Sequence, residues 1–307
     1  LTLYSDSIVD IRGLRKRFGS VQALDGLSLK VCRGDVFGFL GPNGSGKSTT
    51  IRIMVSLVKA DEGEVRLLGQ SADRSNPTLL SRVGALIERP SFYEHLSAGK
   101  NLSVLLKYSG REPDKETIVN TLMLTGLQER QNDKVRTYSE GMKQRLGIAQ
   151  AIIHEPELLI LDEPFSNLDP EGIRDIRDLI LKLNREKGMT IIISSHKLDE
   201  IEKLVSRLVL IRKGKTLAKG SVNQLVNQGA ITTRLVTNNQ LGAMASLKDS
   251  TLDIQNLTIK ENTIFFSCTR SIIPEVNTHL VSKGFKVESI SPDLSLESFF
   301  LSIINKG

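Results

Sequence analysis

Val36-Phe-Gly-Phe-Leu40-Gly41-Pro42-Asn43-Gly44-Ser45-Gly46-Lys47-Ser48-Thr49 reads as three pieces in a fixed order. VFGFL is a short apolar run with buried-strand character, Gly41 to Ser48 satisfies GxxxxGK[ST], and the stretch 48–58 (STTIRIMVSLV) carries the apolar spacing of a helix. A strand, a glycine-rich loop and a helix in that order make a phosphate cradle. The glycines let successive backbone N–H groups turn inward around phosphate oxygens, and the helix N-terminus adds partial positive charge. Lys47 supplies a mobile ammonium for the β- and γ-phosphates. Ser48 offers a hydroxyl to Mg²⁺, which prefers oxygen ligands and lets the nucleotide complete its octahedron. A glycine-rich turn carrying Lys-Ser by chance would not need a strand before it and a helix after it. The expected nucleotide contacts here are Gly41, Asn43, Gly44, Gly46, Lys47, Ser48 and Thr49.

Working outward, Leu158-Leu-Ile-Leu-Asp162-Glu163 places an Asp at the end of a second buried strand with another carboxylate beside it, at the edge where open α/β sheets bind ligands. Asp162 can hold Mg²⁺ through water, and Glu163 can orient or deprotonate the attacking water. Alone, an apolar strand ending in Asp-Glu is common and would read as a helix-capping acid; beside the phosphate loop it reads as functional. TIIISS (190–195) is a third buried-strand run, separated from LLILD by a helical stretch at 171–187 that ends at Gly188. This alternation implies a parallel sheet with helices on its faces. Residues 8–31 alternate apolar and polar around FGS as an antiparallel layer, and EVRLLG (64–69) returns to strand character. Helical spacing at 97–108, 114–126 and 140–153 predicts a helical insert at about 90–155. A hairpin-like segment at 207–220 precedes a change to Asn, Ser and Thr. The tail then reads strand, helix, two strands, helix, strand, helix (231–237, 241–248, 252–258, 262–268, 271–283, 285–290 and 294–304), the order of a small ferredoxin-like α+β domain.

The bulk numbers fit this two-part plan. A chain of 307 residues with 39% hydrophobic and 25% charged residues can bury a sizeable core without metal or disulfide staples. Cys32 and Cys268 lie far apart without ligand spacing and read as buried fillers in a reducing compartment. No apolar run approaches the ~20 residues that span a bilayer, and LTLYSDSIVD lacks the plan of a signal peptide. The net charge of +6 belongs to residues 1–220, because residues 221–307 hold seven basic and seven acidic side chains. Scattered Lys and Arg on a solvated face account for such an excess as well as an anionic partner does.

Further elements follow in order over residues 8–220. Tyr138-Ser139-Glu140-Gly141-Met142-Lys-Gln-Arg-Leu lies just upstream of the Asp-Glu strand, Ser166-Asn-Leu-Asp169 follows it, and Ser195-His196 closes the third strand. On these motifs the chain resembles the ABC ATPase family, whose signature is usually LSGGQ. The resemblance implies an α/β fold of the P-loop NTPase class: an ABC ATPase cassette over 1–222 with parallel-sheet core, antiparallel β subdomain and helical subdomain, followed by an α+β domain over 223–307. It implies that Ser139 and Gly141 contact the γ-phosphate bound to the opposite subunit, that Asp169 belongs to a loop crossing the dimer interface, and that His196 hydrogen-bonds the γ-phosphate and holds Glu163. It also assigns Phe18 to stacking on adenine, with a core aromatic as the alternative. Read locally, Thr137 and Glu140 would instead form a capping box, and Asp169 an ordinary Asp/Pro turn.

Glu88 stands where most of the family has a Gln that touches Mg²⁺, water and the permease. Glutamate there, together with SFYEHLSAGKNL (91–102), resembles the bacitracin and lantibiotic resistance exporters, and SLESFFL (295–301) resembles the ending of drug-exporter ATPases. The metal set implied is Ser48, Glu88 and Asp162; the alternative for Glu88 is a solvated acid paired with Arg89 or another base. The expected protein is an ATP- and Mg²⁺-dependent ATPase subunit of an exporter of drugs, antimicrobial peptides or lipids. It would work at the cytoplasmic face of the cell membrane as a homodimer, or beside a paralogous ATPase, and drive separate transmembrane permease subunits. A soluble ABC ATPase acting on nucleic acid or ribosomes is the alternative, against which stand the missing coiled coil and second cassette; no nucleic acid is expected. A P-loop kinase would leave the signature and His196 unexplained.

Overall fold

Only Gly19 and Ser20 separate β1 (Ser7–Phe18) from β2 (Val21–Cys32), and Gly19 takes the left-handed conformation the tight turn demands (φ 55°). The structure is a computed structural model that describes residues 7–72, 76–227 and 231–304. Along the chain follow β3 (Val36–Leu40), α1 (Lys47–Met54), β4 (Glu62–Leu67), β5 (Gln70–Ser71), α2 (Pro77–Leu80) and β6 (Val83–Leu86). Next come α3 (Ala98–Tyr108), α4 (Lys115–Leu124), α5 (Glu140–Ile152), β7 (Leu158–Asp162), α6 (Pro170–Lys187) and β8 (Thr190–Ser195). The series continues with α7 (Leu198–Glu202), β9 (Arg207–Arg212), β10 (Lys215–Ser221) and α8 (Val222–Val226). It closes with β11 (Ile231–Thr237), α9 (Gln240–Lys248), β12 (Gln255–Lys260), β13 (Thr263–Cys268), α10 (Ile273–Ser282), β14 (Val287–Pro292) and α11 (Leu296–Ile304).

Two compact units divide the chain at residues 219 and 220. In the first, one sheet runs β2-β1-β4-β5 and another runs β10-β9-β3-β8-β7-β6. The pairs β9/β3, β3/β8, β8/β7 and β7/β6 are parallel. Every residue of β3, β7 and β8 is buried, as expected for strands covered on both faces. The two sheets share one core around α1: Leu24, Leu27, Val65 and Leu67 meet Phe39, Ile51, Met54, Ile160 and Ile192. A second core joins α3, α4 and α5 through Leu102, Leu106, Leu122 and Leu146. Buried Asn101 ties the preceding loop to α3, accepting from Tyr93 N–H at 2.9 Å and donating to the Tyr93 and Ser97 carbonyls.

The second unit is a four-stranded antiparallel sheet in the order β12-β13-β11-β14. With α9 and α10 between strands in the βαββαβ sequence, this is the ferredoxin-like topology. Leu235, Ile264, Phe266, Val276 and Leu280 form its core.

Several local expectations are corrected. Strand β6, absent from the sequence pattern, extends the parallel sheet; its four residues contain a glycine and are too short to show a period. Residues 90–97 are irregular, so the first helix of the insert starts at Ala98. Ser139, not Thr137, caps α5: its Oγ accepts from Met142 N–H at 3.3 Å, whereas the Thr137 hydroxyl donates to the Lys134 carbonyl. Phe18 is 48% exposed and is no core aromatic. Cys32 is half-buried, and its Sγ accepts from the Arg207 guanidinium at 2.8 Å.

Gly84 in β6 lies against the end of α5. A Cβ there would overlap the Ala151 carbonyl oxygen and come within 2.9 Å of Pro156 Cγ. Gly84→Ala should therefore destabilise the first unit by about 2–3 kcal/mol. Urea unfolding followed by circular dichroism checks this, and an unchanged midpoint would contradict the close approach.

Candidate functional site

Strands β3, β8 and β7 end level with one another, because Leu40 pairs with Ser195 and Asp162 with Ser194. The loop after β3, the Asp162-Glu163 pair and His196 therefore leave the sheet at the same edge. The Gly41 N–H donates to the Ser195 carbonyl at 3.3 Å, which fixes the start of the loop. Gly46 turns the chain into α1 with φ 107°, and a Cβ there would press within 2.6 Å of Leu24 and 2.8 Å of the Ala23 carbonyl. Gly41 is confined in the same way, by the Ile211 carbonyl and by Ser45 Oγ at 2.8 Å. Gly44 has φ 75° with open space around it, so its backbone is left accessible. The turn between β9 and β10 supports the loop from below, since Gly214 N–H donates to the Ser45 carbonyl at 2.9 Å.

Lys47 is 6% exposed. Its Nζ donates to the Gly41 carbonyl at 2.7 Å and lies 3.3 Å from Glu163 Oε1. The other oxygen of Glu163 sits 2.8 Å from His196 Nδ1. One carboxylate thus links the lysine of the loop to the histidine after β8. Its own backbone is held at φ 50°, which an L-residue adopts only under constraint. The constraint is visible: Glu163 N–H donates to Ser194 Oγ at 3.0 Å and to the Ser194 carbonyl at 3.2 Å. The Ser194 hydroxyl in turn donates to Oδ1 of Asp162, a carboxylate 3% exposed. Sequence reasoning passed over Ser194; the signal was the pair of serines that closes the aliphatic run of β8.

Asn43, Gly44, Gly46, Lys47, Ser48 and Thr49 line a cleft of about 510 Å³ together with Val21, Gln22, Ala23, Glu163, Ser166 and His196. A second cleft, of about 550 Å³, brings Glu88 together with Asp162, Glu163, Asn167 and Lys143. Glu88 has φ 61° and its carboxylate pairs with the Arg52 guanidinium of α1, so it is paired with a base other than Arg89. Phe18 pairs across the hairpin with Val21, which lines the first cleft. Asp169 caps α6, accepting from Gly172 N–H at 2.8 Å. Ser139 and Gly141, at the start of α5, line neither cleft among the described residues. Apart from its chain neighbours and its own helix backbone, the nearest atoms to where a Gly141 Cβ would stand are Gly172 Cα and Ser139 Oγ, each at 4.0 Å.

The donor set fits a nucleotide with its cation. Ser45 Oγ is buried without a hydrogen-bond partner inside a loop of inward-turned backbone. Among the described residues no group of three or more His, Cys, Asp or Glu side chains could hold a metal by itself. A Mg²⁺ held here would need oxygens from phosphate and water, as that ion ordinarily does.

Residues 24–166 match the family model described as ABC transporter. The bacitracin transport ATP-binding protein BcrA of Bacillus licheniformis is 37% identical over 303 residues, covering 98% of each chain. The chain belongs to the ATP-binding proteins of ABC transporters. This ATPase is also 39% identical, over 210 residues, to the lantibiotic transport ATP-binding protein SrtF of Streptococcus pyogenes, covering 68% of this chain and 89% of that one. A solved dimeric structure of a post-hydrolysis state of the ATP-binding cassette MJ0796, bound to ADP and Pi, is 25% identical with a TM-score of 0.62, covering 69% of this chain and 98% of that chain. The expected family, fold class and ATP hydrolysis are all borne out.

Ser194 holds both acids of the site. Ser194→Ala should lower the rate of ATP hydrolysis about tenfold or more, the usual loss when a group that orients a ligand is removed, while the thermal midpoint moves little. Steady-state kinetics of purified full-length protein decide this, and a wild-type rate would show that the hydroxyl orients nothing.

Proposed function

We propose that two copies of this ATPase close face to face over two ATP molecules and drive membrane-embedded permease subunits that export an antimicrobial peptide or similar amphiphile. The observation that carries this reading is that Ser139, exposed at the N-terminus of α5, and Gly141 line neither cleft of their own chain, while the phosphate loop has its own cleft. A second copy would supply Ser139 Oγ and the Gly141 N–H to a phosphate seated on Lys47. The dimeric MJ0796 structure and the transport roles named for BcrA and SrtF support the arrangement and the cargo class. Among the described residues no helix is long and apolar enough to cross a membrane. In this scheme separate permease chains cross the membrane and the ATPase sits against their cytoplasmic side.

Each side chain has a separable task in this scheme. Lys47 leaves Glu163 for the phosphates, whose charge outweighs one carboxylate. Glu163, held by His196 and by its backbone bonds to Ser194, then orients the attacking water and takes its proton. Ser48, Asp162 and Glu88 would hold Mg²⁺, with Glu88 leaving Arg52 to do so. When bound, the ion would offset negative charge on the phosphates. Phe18 stacks on the base at the rim, and Asp169 fixes the turn that faces the second copy.

Glu163→Gln should slow hydrolysis about 10²-fold or more yet keep both phosphate cradles. With ATP and Mg²⁺, light scattering should then report a doubled mass; a strict monomer, with or without co-purified permease, would sink the sandwich.

Glu88 separates ligand from bystander. Replacement by Gln keeps an oxygen of the same shape and should alter the ATPase rate of the permease-bound complex, whereas replacement by Ala should lower it further. Wild-type hydrolysis and transport in Glu88→Ala would reduce the residue to an exposed partner of Arg52, a pair contributing ~0–1 kcal/mol.

A further inference from the structure

The end of β1 holds an arrangement that the phosphate chemistry does not use. Lys16 Nζ lies 5.3 Å from the centroid of the Phe18 ring, over its face. The Lys16 side chain is only 15% exposed, unusual for a lysine, and its ammonium is fixed by Asp61 Oδ1 at 2.7 Å. The other oxygen of Asp61 accepts from Arg17 N–H at 2.7 Å, and Asp61 N–H donates to the Arg15 carbonyl at 3.0 Å. The Lys16 ammonium, and then the Arg17 N–H, hold the Asp61 carboxyl below its ordinary range. Asp61, just before β4, thus grips the three residues that lead to Phe18 and fixes the cation over one face of its ring.

A ring 48% exposed at a hairpin end would otherwise sample several rotamers, and a ligand that stacked on it would have to order it first. A cation on one face attracts the ring quadrupole and holds the ring flat against it, which leaves the opposite face as the surface presented. Phe18 pairs across the hairpin with Val21, and Val21, Gln22 and Ala23 line the cleft of the phosphate loop. Phe18 therefore adjoins residues that line the cleft in which a nucleotide seated on Lys47 would lie.

We propose that Lys16 and Asp61 are positioning residues for nucleotide binding: Asp61 locks Lys16 over Phe18, and Lys16 holds the ring ready for the purine. This rests on the reading of Phe18 as the base-stacking residue. The clamp acts on affinity, not on the chemical step, because none of its members reaches the Glu163 site.

The experiment is calorimetric titration of ATP with Mg²⁺ into the full-length chain carrying Glu163→Gln, so that nucleotide persists. Phe18→Ala should weaken ATP about tenfold or more, and Lys16→Met and Asp61→Asn about three- to tenfold. Lys16→Arg, which keeps the cation, should bind as the parent does. The double variant Lys16→Met with Phe18→Ala should be no weaker than Phe18→Ala alone, since the lysine acts through the ring. In the otherwise wild-type chain, Lys16→Met should raise KM for ATP and keep kcat. Normal affinity in Lys16→Met beside a weakened Phe18→Ala would overturn the clamp and leave base stacking standing. Additive losses in the double variant would also overturn it, by showing that Lys16 meets the nucleotide directly. Normal affinity in Phe18→Ala would remove the stacking reading and the clamp together.

Discussion

Everything at the site depends on the parallel register of β3, β8 and β7. Parallel strands joined by right-handed crossovers end at the same edge, and here the pairing of Leu40 with Ser195 and of Asp162 with Ser194 brings those ends level. A slip of one residue would turn Asp162 to the other face of the sheet and away from Ser194. The phosphate loop, the two carboxylates and His196 are far apart in sequence and share no helix. They meet because the parallel pairing of these strands sets where each of them ends.

Glu163 shows how that register becomes chemistry. Its backbone is held in a left-handed conformation by Ser194, and its carboxylate is shared by Lys47 and His196. A carboxylate held between two bases is aimed. In the proposed mechanism a triphosphate would compete for Lys47 and leave His196 as the partner, so arrival of substrate would also ready the base. Asp162, buried and bonded to the Ser194 hydroxyl, is oriented by the same serine. The adjacent acids meet different partners, Asp162 the Ser194 hydroxyl and Glu163 the Lys47 and His196 side chains, which is what the proposed division of their work requires.

How much was legible in the sequence follows from how local each signal is. The phosphate loop needs glycines at fixed positions, and the Cβ overlaps at Gly41 and Gly46 explain why it can be read from residue types alone. The long aliphatic strands and the α6 boundary at Gly188, with φ 62°, were equally plain. The βαββαβ order of the last unit emerged from periodicity, although the neighbour order of its strands is a tertiary property. Strand β6 was hidden because Val83-Gly-Ala-Leu86 exists as a strand only by pairing with β7. The choice between Thr137 and Ser139 as helix cap depended on a 3₁₀ turn at Val135–Thr137 that delays the helix. The Ser194 bond to Asp162 and the Arg52 partner of Glu88 join residues far apart in sequence, which no spacing rule pairs, whereas Lys16 and Phe18 share a face of β1 by strand period and only their contact is tertiary detail.

The central claim is that the working site is shared between two chains, one giving Lys47 and Glu163, the other Ser139 and Gly141. Two inactive variants test it directly: Lys47→Ala, which spoils the cradle, and Ser139→Arg, which blocks the open helix end. Either homodimer carries the fault in both sites, whereas a mixed dimer has one site with an intact Lys47 and an intact Ser139. ATP hydrolysis is to be measured on each variant alone and on the two co-expressed. The account predicts two near-inactive preparations and recovered hydrolysis in the mixture. A mixture as inactive as its parts, with mixed dimers shown to form, would contradict it.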